Sequence, residues 1–106
     1  MKKIKLAITG CMGRMGQQLI KSVKSNSSFK VVTLTESKIF DKKLIGIKPE
    51  LNTEIAFKKA EVIIDFTVPK SSIEIIRIAS KLKKKVVIGT TGFNLKEEKL
   101  IQQYSK

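Results

Sequence analysis

The residues best placed to do chemistry are three glycines in Gly10-Cys11-Met12-Gly13-Arg14-Met15-Gly16. They fall between a short β-forming run and an amphipathic helical pattern. In such a place Gly10 turns the chain sharply, Gly13 lets backbone approach a pyrophosphate, and Gly16 lets the helix lie close to the strand. The N–H groups at the helix start then face phosphate, helped by the helix dipole. The spacing is GxxGxxG rather than the commoner GxGxxG, so the strand before it and the helix after it carry the argument. Glu36 stands 20 residues beyond Gly16, at the end of the next β-forming run. A carboxylate there accepts hydrogen bonds from ribose hydroxyls and disfavours a 2′-phosphate. Ser37 follows, and then Lys38, whose flexible ammonium can offset a phosphate's charge. Both NADH and NADPH therefore stay open. The plainer alternatives are a tight turn without ligand and a solvated strand end. Arg14 is either a phosphate contact or an exposed first-turn residue. Cys11 and Met12 offer backbone N–H groups, with side chains that pack.

These residues need a scaffold, and the chain supplies one in alternating elements. IKLAIT (4–9) reads as a strand. Met15, Leu19, Ile20 and Val23 recur at helical spacing from Arg14 to about Lys24. FKVVTLT (29–35) is a second strand ending near Glu36. Residues 37–60 read mostly as loop, with a short helix over 54–60. VIIDF (62–66) has the apolar continuity of a parallel strand covered on both faces. Pro69 suits a first helical turn, and Ile73, Ile76, Ile78 and Leu82 form a stripe through Lys83. KVVI (85–88) reads as a short buried strand, and a last helix runs from Leu95 to about Tyr104. The order predicts an α/β fold with a mostly parallel sheet and right-handed crossovers.

Composition narrows the function classes. A chain of 106 residues is one domain by length. A single Cys and no His exclude an internal disulfide and a zinc or Cys-His catalytic site, so no metal is expected. Lys5 interrupts the apolar N-terminal run, which rules out a secretory signal or membrane span at the start. A reducing, cytoplasmic location is the expectation. The net charge of +13 invites nucleic acid, but all but two of the 22 basic residues are lysine. Base reading and bidentate phosphate contacts favour Arg, and the lysines are spread over the whole chain. A solvated surface, with no nucleic-acid or membrane partner, is the reading.

Three motifs now stand in order: GCMGRMG (10–16), IDFTVP (64–69) and IGTTGF (88–93). Together they resemble the 4-hydroxy-tetrahydrodipicolinate reductase family (formerly dihydrodipicolinate reductase) of lysine and diaminopimelate biosynthesis. The resemblance covers essentially the whole chain and is weakest over 38–60. It implies a Rossmann-like, mostly parallel sheet flanked by helices, and an oxidoreductase that uses NADH or NADPH. Carried over by position, it implies cofactor contacts at Gly10, Cys11, Met12, Gly13, Arg14 and Met15, and an acidic ribose contact at Glu36. Where the family often places Arg after that acid, this chain has Ser37 and Lys38. Gly89, Thr90 and Thr91 match the loop beside the nicotinamide, and Phe66 and Thr67 line the same crevice; an ordinary hydroxyl-rich turn is the alternative for Thr90 and Thr91. The family's catalytic His and Lys and its PSGT-like loop have no counterpart here. Residues 1–106 are therefore expected to be a dinucleotide-binding domain, an N-terminal fragment inactive alone and lacking the catalytic and tetramer-forming half. A free-standing dinucleotide-binding or redox-sensing module is the rival.

Overall fold

The computed structural model describes residues 3–89 and 94–104. β1 (Ile4–Thr9) leads through the glycine loop into α1 (Arg14–Lys24), and β2 (Phe29–Glu36) follows. Then come β3 (Glu50–Leu51), α2 (Glu54–Lys58), β4 (Val62–Asp65), α3 (Pro69–Leu82), β5 (Lys85–Ile88) and α4 (Leu95–Tyr104). The five strands are parallel in the order β3-β2-β1-β4-β5. The chain thus winds one way from β1 through β2 to β3, then returns past β1 to β4 and β5. Crossovers of one hand on opposite sides of β1 place their helices on opposite faces, and two cores result. Leu6, Ile8, Val31 and Leu34 pack with Ile20 and Val23 of α1 on one face. Ala7 and Ile63 pack with Phe57 and with Ile75, Ile78 and Ala79 of α3 on the other.

Register aligns the strand ends. Thr9 lies opposite both Thr35 and Asp65, Asp65 opposite Ile88, and Glu36 opposite Leu51. One residue further on, Gly10, Glu36, Phe66 and Gly89 come level at the carboxyl edge, where open α/β sheets bind ligands. β2 carries a bulge opposite Leu6/Ala7, with Val32 as the extra residue.

Several expectations change. Phe66 lies just past β4, not within it. β5 is half-covered rather than buried: Val86 packs against the core of Phe57, Ile63 and Ile75, whereas Val87, which alternation turns to the other face, is 56% exposed. Met15 is exposed, since the face of α1 that meets the sheet runs through Gly16, Ile20 and Val23, with Leu19 only partly covered. In α3 the buried set includes Ile75 and Ala79, with Ile73 only half-buried. α3 ends one residue early, at Leu82, because Lys83 takes a left-handed capping conformation (φ 57°). The short helix is confined to Glu54–Lys58, and β3 was not foreseen. It has two residues directly after Pro49, too few to show alternation.

The connection between β2 and β3 contains a strained turn. Leu44 and Ile47 exchange backbone hydrogen bonds of 2.9 Å in both directions, closing a two-residue turn with φ 48° at Ile45 and 77° at Gly46. Two positive φ values are the type I′ pattern, which a β-branched side chain resists. Ile45→Asn is expected to stabilise the chain by about 1 kcal/mol, read as an upward shift of the urea midpoint at unchanged slope.

Candidate dinucleotide site

The glycine loop is shaped by two close approaches. Gly10 has φ +62°, and a Cβ there would sit 2.7 Å from the Phe66 carbonyl oxygen and 3.1 Å from Thr67 Cγ2. A Cβ on Gly16 would drive into the Gly10 carbonyl and lie 2.8 Å from Cys11 Cα. Gly16 therefore lets α1 close on the loop's own backbone, not on the strand. Gly13 differs: its φ of −77° suits any residue, and a Cβ would meet only the Gly10 carbonyl, at 3.3 Å. The rest of that face is clear backbone, the condition for a pyrophosphate to come close.

The loop's N–H groups divide into two sets. Cys11 donates to the Thr35 carbonyl at 3.3 Å, Met12 to Glu36 Oε2 at 2.9 Å, and Gly13 to the Gly10 carbonyl at 3.0 Å. The amides of Cys11 and Met12, expected to serve a ligand, instead hold the loop together. Those of Arg14, Met15 and Gly16 have no acceptor among the described residues, as first-turn amides do. The free donors thus belong to the first turn of α1 and not to Cys11 and Met12. Exposed Arg14 sits at that start.

Glu36 ends β2 facing this loop. Its carboxylate takes the Met12 N–H on Oε2 and the Ser37 N–H on Oε1, at 3.2 Å. A carboxylate has about four lone-pair directions, so capacity remains for two ribose hydroxyls. Ser37 and Lys38 are exposed beside it. Glu36 and Ser37 line a cleft of ≈ 280 Å³ together with Gly10, Gly13, Phe66 and Thr67. Asn52, Val68 and Ser71, which sequence reasoning missed, complete its walls.

Phe66 and Thr67 turn out to be props as much as lining. The Phe66 ring lies directly against Gly89, leaving no room for a Cβ there. The Gly89 N–H donates to the Asp65 carbonyl at 2.7 Å. Thr67 Oγ1 donates to Asp65 Oδ1 at 2.8 Å, so this hydroxyl is turned into the fold. Asp65 is fully buried and also accepts Thr9 Oγ1 at 2.6 Å and the Ser72 hydroxyl. An acidic residue closing the apolar run Val62-Ile63-Ile64 was the signal for it. Thr90 and Thr91 lie outside the described residues.

Cys11 is buried beneath the loop. Burial first, and then the Glu36 carboxylate, push its thiol up to about 11 from an ordinary 9.0. A thiol raised on folding stabilises the fold fully below pH 9 and loses that contribution between pH 9 and 11. Unfolding titrations should show a fall of about 2 kcal/mol over that window relative to Cys11→Ala. The native thiol should resist alkylation at pH 8. No group of three or more potential metal ligands occurs among the described residues, and none of their helices is long and apolar enough to cross a membrane.

A family model described as "Dihydrodipicolinate reductase, N-terminus" matches residues 4–106. The chain belongs to that family. A 4-hydroxy-tetrahydrodipicolinate reductase of Pelagibacter ubique (strain HTCC1062) is 66% identical over 106 residues, covering 100% of this chain and 41% of that protein. One from Buchnera aphidicola subsp. Acyrthosiphon pisum (strain Tuc7) is 38% identical, covering 99% and 43%. The chain thus spans less than half the length of these relatives. Among solved structures, a dipicolinate-bound dihydrodipicolinate reductase from Paenisporosarcina sp. TG-14 superposes with a TM-score of 0.79 at 22% identity, over 98% of this chain and 43% of that one. That likeness establishes the Rossmann-like fold of this family member.

Proposed function

We propose that residues 1–106 are the dinucleotide-binding domain of a 4-hydroxy-tetrahydrodipicolinate reductase. They would hold NADH or NADPH while 4-hydroxy-tetrahydrodipicolinate is reduced, with loss of water, to tetrahydrodipicolinate in lysine and diaminopimelate biosynthesis. The observation that carries this is the alignment of Gly10, Glu36, Phe66 and Gly89 at one carboxyl edge, with the unspent amides of Arg14, Met15 and Gly16 beside a carboxylate of spare capacity. The bound nicotinamide supplies hydride, and the chain's own task is to hold and orient it. Gly10 and Gly13 would admit the pyrophosphate, the α1 amides would meet its charge, and Glu36 would take the ribose hydroxyls. Ser37 and Lys38 lie where a 2′-phosphate would project. Gly89, against which the Phe66 ring lies, would lie toward the nicotinamide end, and the family resemblance assigns Thr90 and Thr91 to the same end. None of the 106 residues is assigned as the proton donor, so this chain should bind dinucleotide without turning over substrate. A cytoplasmic location, with neither nucleic acid nor membrane as partner, belongs to the same proposal.

The experiment is a titration of NADH and NADPH against the wild-type chain and Glu36→Gln. Gln keeps an acceptor for the Met12 N–H and removes the negative charge. NADH affinity should fall about tenfold, as for loss of a charge-assisted hydrogen bond, while NADPH should hold or improve. An unchanged preference between the two would remove Glu36 from the ribose site. Absence of dinucleotide binding by the wild type would overturn the proposal.

A further inference from the structure

We infer that Asn52 reads the base at the adenosine end of the dinucleotide, and that its side-chain amide distinguishes adenine from a purine without the 6-amino group. The inference rests on the dinucleotide proposal and adds to it a residue that only the structure reveals.

Placement is the first support. Leu51 pairs with Glu36 in the sheet, so Asn52 stands one residue beyond the carboxylate assigned to the ribose, level with Ser37. The base is bonded to the sugar carbon next to the one bearing the 2′-hydroxyl. A ribose held by Glu36 therefore sets its base within a sugar's width of that carboxylate. Asn52 lines the same cleft as Glu36, and Val68, 61% exposed, lines it from the β4–α3 turn. Val68 thus offers apolar surface to the flat face of a base, and Asn52 offers an amide to its edge.

Rigidity is the second support. Leu51 is fixed by the β2–β3 pairing, and Thr53 caps α2 by accepting the Ala56 N–H on Oγ1 at 3.2 Å. Asn52 is the single residue between strand and cap, so its amide is presented from a backbone held on both sides.

The amide itself is the third. Oδ1 of Asn52 is buried and accepts no hydrogen bond, which is uncommon for a buried polar atom. Its terminal torsion is soft and roughly two-fold, so the amide turns over easily. Turned toward the cleft, it offers one acceptor and two donors. Adenine presents the complement along one edge, a 6-amino donor beside a ring-nitrogen acceptor, and asparagine pairs with it in two hydrogen bonds. That edge is N6/N7; there hypoxanthine presents two acceptors, O6 and N7, so the amide keeps one hydrogen bond and its own oxygen is left without a donor.

The test compares NADH with reduced nicotinamide hypoxanthine dinucleotide by calorimetric titration of the 106-residue chain. The wild type should prefer NADH about tenfold. Asn52→Ala, with its fold checked by circular dichroism, should bind the two within about twofold of each other, mainly through weaker NADH binding. Equal binding of both dinucleotides by the wild type overturns the inference and needs no variant. A preference that survives in Asn52→Ala overturns it as well. In either case NADH binding by the wild type leaves the dinucleotide proposal standing, whereas a wild type that binds neither compound sinks both.

Discussion

Gly16→Ala is expected to lower the thermal midpoint of the chain by roughly 10–20 °C, whereas Gly13→Ala, in the same loop, should move it by only a few degrees. The contrast follows from what each added methyl meets. At position 16 the Cβ would overlap the Gly10 carbonyl and stand 2.8 Å from Cys11 Cα. Both obstacles are backbone, and Gly10 is itself held at φ +62° against the Phe66 carbonyl, so the loop cannot retreat. α1 must move instead, lifting Ile20 and Val23 off Leu6, Ile8 and Leu34. Forced overpacking of this kind costs about 3 kcal/mol. At position 13 the backbone already has φ −77° and the only contact is at 3.3 Å, a displacement of a few tenths of an ångström. Gly13→Ala should therefore fold nearly as well as wild type and still lose dinucleotide affinity, because its methyl occupies the clear face. Differential scanning calorimetry and NADH titration on the two variants separate a glycine needed for folding from one needed for the ligand. Equal destabilisation by both would mean that the loop yields as a unit.

The same physics explains what the sequence discloses and what it withholds. The loop, β1, α1 and Glu36 are legible because each depends on local signals: glycine spacing, β-branched runs and apolar residues at helical intervals. α3 and β5 are placed by Pro69 and by the short run Val86-Val87-Ile88 for the same reason. Exposure depends on partners far along the chain. Val87 looks like core by type, yet β5 is covered on one side only; Met15 looks apolar, yet Gly16 turns α1 about its axis. β3 is hidden because two residues cannot show a period, and with it went Asn52, whose place is set by pairing to Glu36 from outside the motif. The internal use of the Cys11 and Met12 amides is equally invisible. It follows from Glu36 and the Thr35 carbonyl arriving from β2, and no spacing rule encodes that.

Asp65→Ala is expected to destabilise the chain by about 3 kcal/mol, with Asp65→Asn recovering most of the loss. Asp65 is fully buried at the end of β4 and gathers hydroxyls from three places. Oδ1 takes Thr9 from β1 at 2.6 Å and Thr67 from the β4–α3 turn at 2.8 Å, and Oδ2 takes Ser72 from α3. Truncation removes the acceptor that all three hydroxyls share. Thr67 keeps its contacts with Ser72 at 3.2 Å and with the Val68 carbonyl at 3.4 Å, whereas the buried Thr9 hydroxyl loses its acceptor on Asp65, and an unsatisfied buried polar group costs about 1–3 kcal/mol. Asparagine keeps an acceptor at the Oδ1 position for Thr9 and Thr67, and its amide can donate to Ser72 Oγ, which then turns its proton toward Thr67. The consequence reaches the candidate site by two routes. Thr67 Cγ2 is what Gly10 rests against, and the Asp65 carbonyl receives the Gly89 N–H while the next residue, Phe66, covers Gly89. Asp65 thus ties the glycine loop at Gly10 to the end of β5 at Gly89. Chemical denaturation should rank the variants wild type, Asn, Ala in falling stability. Dinucleotide affinity, measured where all three remain folded, should fall in the same order; an Ala variant as stable as wild type would show that the three hydroxyls re-pair without the carboxylate.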